Sequence, residues 1–213
     1  MELLFIYIIL YLGIVPFIVL LFKKKAFNFK EPIVPFIWVT AIASVYEIVS
    51  PEIFDVISAL SYWFQTLPFL EIVGLYFYFS GIFKKKYKKT INLLLVTSLI
   101  VYCFSFTLWE NNHTSLQSHS INKSFITICV IIGCFSWFRN MVKNLEVESL
   151  WKLPDFYFMS SILIYYSSTV LLFSLGSFIY TGGELYKYWW INILATLVLR
   201  ILLTIGTWKM KSK

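Results

Sequence analysis

Residues 68–89 read PFLEIVGLYFYFSGIFKKKYKK. The first sixteen positions hold apolar, aromatic or small residues and one carboxylate, Glu71; five lysines crowd the last six. The charges nearest to Glu71 are Asp55 behind it and Lys84 ahead. An apolar run stopped by a lysine cluster reads as a helix leaving the hydrocarbon of a bilayer at its basic, cytoplasmic face. An acid inside such a run is costly unless neighbouring helices shield it.

The composition agrees. Of 213 residues, 59% are hydrophobic, 20% aromatic and only 14% charged, with a mean hydropathy of +0.77. Soluble domains carry about 25% charged residues. The apolar runs are continuous, unlike the alternating ten-residue segments of a membrane β-barrel, so helices are expected. Segments of about 20 apolar residues suffice to cross a bilayer. Seven qualify, near 2–22, 33–50, 59–83, 90–109, 122–142, 155–180 and 187–208. The expected fold is all-α: a single seven-helix transmembrane domain over residues 1–213. Lys23, Lys24 and Lys25 follow the first segment and no base precedes it. That is the reverse of a secretory leader, so the segment reads as a retained helix.

Charge sets the expected orientation. Lys23, Lys24, Lys25 and Lys30 fall in the first loop, Lys84, Lys85, Lys86, Lys88 and Lys89 in the third, and Arg139, Lys143 and Lys152 in the fifth. With Lys209, Lys211 and Lys213 in the tail, fifteen of the 18 basic residues lie on one side. The positive-inside rule puts that side in the cytoplasm, with the N-terminus outside and the C-terminus inside. The net charge of +7 is then a matter of topology, and no nucleic-acid partner is expected. Lys84, Lys85, Lys86, Lys88 and Lys89 are candidates for docking a partner or contacting anionic lipid, at about 1 kcal/mol each near such a surface. Trp109, Tyr186, Tyr188, Trp189 and Trp190 would mark the outer ends of helices, and Trp151 and Trp208 inner ends. Cys103, Cys129 and Cys134 sit in apolar segments and read as buried thiols.

Glu71 would lie about 20 Å from the cytoplasmic end of its helix, and Arg200 about 13 Å from the end of the last. An ion pair between them is expected. The alternatives are a protonated acid bonded to a hydroxyl and an arginine snorkelling to headgroups. Around them, small and hydroxyl residues recur at three and four: Leu67, Glu71, Gly74, Tyr78 and Gly81; Asn192, Thr196, Arg200, Thr204 and Thr207; Thr40, Ser44 and Glu47; Ser160, Ser167 and Ser174. Such stripes serve close helix packing, or line a polar cavity. The candidate buried polar site is Glu47, Glu71, Tyr78, Asn192, Thr196 and Arg200.

Catalytic signatures are missing. The sequence has no GxSxG, HExxH, Walker loop or CxxC. The last helix has no core lysine for a retinal Schiff base. His113 and His119, with Glu110, fall in an expected outer loop that would not hold them in metal-ligand geometry. No catalytic residue, metal or cofactor is expected. A faint internal repeat pairs Pro32 and Phe36 with Pro154 and Phe158, at equal spacing near the starts of two helices. It would divide the helices three, one and three.

Two stretches, LPDFYFMSSILIYYSSTVLLFSLGSFIY (153–180) and WWINILATLVLRILLTIGTWKMK (189–211), carry a resemblance, together with FYFSGIFKKKYKK (77–89). With them the chain resembles small seven-helix membrane proteins of Bacteroidota. The resemblance implies a stand-alone sensor or accessory subunit in a bacterial cytoplasmic membrane and no catalytic residues. The leading expectation is therefore a non-enzymatic membrane protein that relays a signal to, or assembles with, protein partners or copies of itself, in stress or defence. The alternative is a small-solute or ion transporter with a midplane polar site, and third comes a lipid-modifying enzyme.

Overall fold

The computed structural model describes residues 2–53, 56–83, 87–109, 112–144, 149–174 and 185–211. They are mostly helical, with no strand among the described residues. The elements are α1 (Glu2–Leu12), α2 (Val15–Phe22), α3 (Val34–Ile53), α4 (Val56–Ile82), α5 (Lys88–Thr107), α6 (Asn112–Asn144), a 3-10 turn (Leu150–Lys152), α7 (Pro154–Ser174) and α8 (Leu185–Lys209). Five stretches are long and apolar enough to cross a membrane: Leu4–Phe22, Lys88–Thr107, Ser115–Lys143, Pro154–Ser174 and Tyr188–Lys209. Val34–Ser50 is a shorter apolar helix.

The first expected helix is broken. Pro16 has no N–H to give Leu12, and the amides of Gly13 and Ile14 bond back only three residues, to Leu10 and Tyr11, at 3.1 Å each. α2 ends in a Schellman turn. The amide of Lys24 reaches the carbonyl of Leu21 at 2.9 Å, that of Lys25 reaches Leu20 at 2.8 Å, and Lys24 takes a left-handed φ of 55°. The side chain of Lys23 then donates to the carbonyls of Trp208 and Met210, tying this turn to the C-terminus of α8.

The α1–α2 rod packs on α3 and α8, α3 on α4, α4 on α6, α6 on α7, and α7 on α8. Six rods thus close a ring, and α5 lies outside it against α4 and α6. Burial agrees: 17% of the span in α5 is buried, against 56% in α7. Ring contacts fix the directions. Phe5 meets Trp190 at one end, and Lys23 meets Trp208 at the other, so α1–α2 and α8 run parallel. Ser61 faces Ser115, Glu71 faces Lys123, and Gly133 faces Phe79, so α4 and α6 are parallel too. Phe173 meets Trp189 and Phe158 meets Gly206, so α7 and α8 are antiparallel.

The two halves of the ring differ. In the half where α2 ends, Leu20, Val34, Ile37, Tyr78, Phe158 and Leu203 form a dense, fully buried core. Glycine makes it possible: a Cβ at Gly206 would lie 2.4 Å from Phe158 Cε1, and one at Gly74 would lie 3.1 Å from the Phe36 backbone. In the other half, where α1 begins, the helices stand apart around a cavity.

Several expectations need correction. The fifth expected helix, 122–142, begins ten residues earlier, at Asn112. His119 therefore stands on a rigid helix, whereas a loop was expected there, and Lys123, expected at the mouth of its helix, lies three turns inside it. The serine stripe of the sixth expected helix is not the inward face: Ser167 is exposed, and Ser161 and Thr169 are buried. Cys103 is exposed, Cys129 half-buried and only Cys134 buried. Residues 175–180, the end of that expected helix, lie outside the described residues, as do Lys84, Lys85 and Lys86.

A polar cavity inside the helix ring

The cavity has a volume of about 320 Å³. Five of the six candidate residues line it: Glu47 from α3, Glu71 from α4, and Asn192, Thr196 and Arg200 from α8. The last three recur every four residues, which places them on one helix face. Tyr78 does not reach the cavity. It lies two turns below Glu71 in the dense half, fully buried and edge-on to Phe158. Lys88 and Lys89 are exposed at the start of α5, far from the cavity in the fold.

The expected Glu71–Arg200 pair does not form. Glu71 Oε1 instead accepts from Lys123 Nζ at 2.6 Å, with side chains only 8% and 1% exposed. The rings of Tyr165, Tyr166 and Phe173 surround the ammonium at 5.2–5.3 Å, and it also donates to the Tyr165 hydroxyl at 3.4 Å. A desolvated cation over an aromatic face gains up to about 2 kcal/mol. Height in the bilayer had suggested Arg200 as the partner, but α4 and α8 are not neighbours in the ring. α6 is next to α4, and Lys123 is its only base at that level.

Arg200 has a different task. Gly13 bonds Leu10 at the α1–α2 break, so the Ile9 carbonyl lacks its helical donor, and Arg200 Nη1 donates to it. Gly13 leaves room for this: a Cβ there would lie 2.8 Å from Arg200 Nε and 1.9 Å from Ser44 Oγ. The other nitrogen, Nη2, stands 3.6 Å from Glu47 Oε2, an ion pair too long to be a hydrogen bond.

His119 mends a second break. Pro68 leaves the carbonyl of Phe64 without its helical donor. His119 Nδ1 lies 2.9 Å from that carbonyl, and a carbonyl only accepts, so Nδ1 carries the proton. Lower in cost but in the same seam, Ser115 Oγ donates to the Ser61 carbonyl at 3.0 Å and Ser118 Oγ to Gln65 Oε1 at 3.0 Å. This yields a prediction. His119→Leu should cost about 1–3 kcal/mol by stranding a buried carbonyl. In a Pro68→Ala background, residue 68 can donate to Phe64 itself, so the cost of His119→Leu should fall toward zero. Unfolding of the four proteins in SDS would measure it; equal costs in both backgrounds would refute the assignment.

Sequence reasoning missed His119 because it was assigned to a loop, and Lys123 because it was taken to mark the outer end of a helix. The signal was present: Ser115, Ser118, His119, Asn122 and Lys123, then Ile126, Val130 and Cys134, recur at three and four without interruption, and all are buried. No protein-family model, curated protein or solved structure matches the chain. Among the described residues, no group of three His, Cys, Asp or Glu side chains is placed to hold a metal.

Proposed function

We propose that the chain is a multi-pass protein of a bacterial cytoplasmic membrane, crossing seven times with its N-terminus outside. It binds a small polar solute in the cavity and carries it across the bilayer. One observation carries the reading: two acids, a lysine, an arginine, a histidine, an asparagine, two threonines and a serine line a common space inside a ring of largely apolar helices. Ionisable groups inside a membrane are costly, and those that persist mark solute and ion pathways.

Three further features support it. Leu93, Ile100, Phe104, Phe135 and Leu171 are each more than 60% exposed, which water would penalise and lipid would not. Trp151 and Trp208 are exposed at one end, and Tyr188 and Trp190 at the other, as an aromatic belt requires. One contact is of the same kind in the three rods before α5 and in the three after it, Phe36 on Gly74 and Phe158 on Gly206. It supports a three-one-three division, a plan used by transporters whose cargo binds between two repeats. The dense half beneath the cavity acts as its cytoplasmic seal.

Reconstituted in liposomes, the protein should give saturable uptake of a small polar solute, abolished by Arg200→Gln. Uptake no faster than in empty liposomes across solutes of every charge class would reject transport. A sensor or complex subunit is the second reading, favoured by the free outer face of α5. A protein partner recovered in fixed ratio from native membranes, with no uptake, would decide for it.

A further inference from the structure

We propose that the cavity selects a zwitterion of the α-amino-acid kind, its carboxylate on Arg200 and its ammonium on Glu47. This deepens the solute-binding reading above and rests on it.

The two ion pairs of the cavity are built differently. Glu71–Lys123 is short, sealed and caged by three rings, so it is a fixed part of the wall. Glu47–Arg200 is looser. Its nearest atoms are 3.6 Å apart, the Glu47 side chain is 35% exposed against 5% for Arg200, and the other donor to that carboxylate, Trp63 Nε1, is at 3.4 Å. Arg200 lines the cavity and is anchored through Nη1 on the Ile9 carbonyl, which leaves Nη2 as the nitrogen nearest to Glu47. Two opposite charges, near each other yet not bonded, can each exchange a long contact for a short charge-assisted bond of about 2.7–2.9 Å when a zwitterion enters.

Charge balance points the same way. Glu47 and Glu71 are matched by Lys123 and Arg200, so the formal charge of the lining is zero. A ligand with net charge would leave one charge uncompensated in a poorly solvated site, where such charges are strongly disfavoured. An uncharged polar solute could hydrogen-bond both groups but would bring neither of them an opposite charge. Asn192 Oδ1 is buried without a hydrogen-bond partner and sits two turns from Arg200 on the same face, an acceptor in want of a donor such as an ammonium N–H. Trp63 and Tyr46, stacked at 4.3 Å, line the cavity beside Glu47. Ile9, Val39, Ala43 and Ile193 complete an apolar wall for the body of the ligand.

The test uses the full chain, purified in detergent, and a ligand series that needs no variant: leucine and phenylalanine, their amides (cations), their N-acetyl forms (anions), a sugar alcohol, and glycerophosphoethanolamine as the soluble headgroup of a zwitterionic lipid. Binding is read by calorimetry and thermal shift. The free amino acids should bind, and removal of either ligand charge should weaken binding about 10–100-fold, the worth of one charged hydrogen bond. Glu47→Gln should erase the preference for the free amino acid over its N-acetyl form, and Arg200→Gln the preference over its amide. Amides or N-acetyl forms binding as well as the parent would overturn the proposal while leaving a solute site intact. Tighter binding of the phosphoethanolamine headgroup would overturn it in favour of lipid. If nothing in the series binds and uptake is absent for every solute class, the solute-binding reading falls with it.

Discussion

Replacing Lys123 with methionine should cost about 3–5 kcal/mol, the usual penalty for leaving a buried partner charge uncompensated. Glu71 would lose its 2.6 Å bond while still held between α4 and α6, with Oε2 already buried and lacking a hydrogen-bond partner. Removing both charges, as Glu71→Leu with Lys123→Met, should recover most of the loss, because apolar pairs of similar volume often match buried ion pairs in stability. Unfolding in SDS, read for both single variants and the double, gives the coupling directly. The same cycle on Glu71 and Arg200 should show far less, since those residues sit on helices that are not neighbours in the ring. Coupling of Glu71 to Arg200 in place of Lys123 would overturn the ring order itself.

Phe158→Ala should cost about as much, 3–5 kcal/mol, for a different reason. Phe158 is 1% exposed, and its ring lies against Gly206 and edge-on to Tyr78 in the dense half of the bundle. Truncation leaves a cavity that rigid helices cannot close. Gly206 provides a check on sign. In the native protein, Gly206→Ala puts a Cβ 2.4 Å from the ring and should destabilise; with Phe158→Ala it fills part of the void and should stabilise. Melting temperatures of the four proteins in detergent decide the matter, and the same sign in both backgrounds would show that the two residues do not share this contact.

The helical class was legible from hydropathy alone, because runs such as 68–83 leave no other way to satisfy a backbone in hydrocarbon. Helical spacing also gathered Glu47, Glu71, Asn192, Thr196 and Arg200, which line one cavity, because polar residues three and four apart share a face of a helix. What failed was pairing. Depth along a helix can be counted from its charged end, but which helices are neighbours cannot, so Glu71 was matched with Arg200 by height and not with Lys123 by adjacency. Hydropathy also misplaced the start of α6. Residues 112–123 are polar enough to resemble a loop, yet Ser115, Ser118 and His119 are buried because they bond Ser61, Gln65 and the Phe64 carbonyl on α4. Breaks at Gly13 and Pro68 were visible as residues; that Arg200 and His119 would satisfy the carbonyls they free depended on tertiary contacts.

The central claim is a water-accessible polar cavity in the N-terminal half of the ring, sealed from the other side. The most direct measurement places a single cysteine at Thr196, with Cys103, Cys129 and Cys134 replaced by alanine, and treats intact cells with a small, membrane-impermeant thiol reagent. Thr196→Cys should be labelled from outside, and Ile162→Cys, fully buried in the dense half, should not. No labelling of position 196 in intact cells, while the same site is labelled once the membrane is opened, would contradict the account.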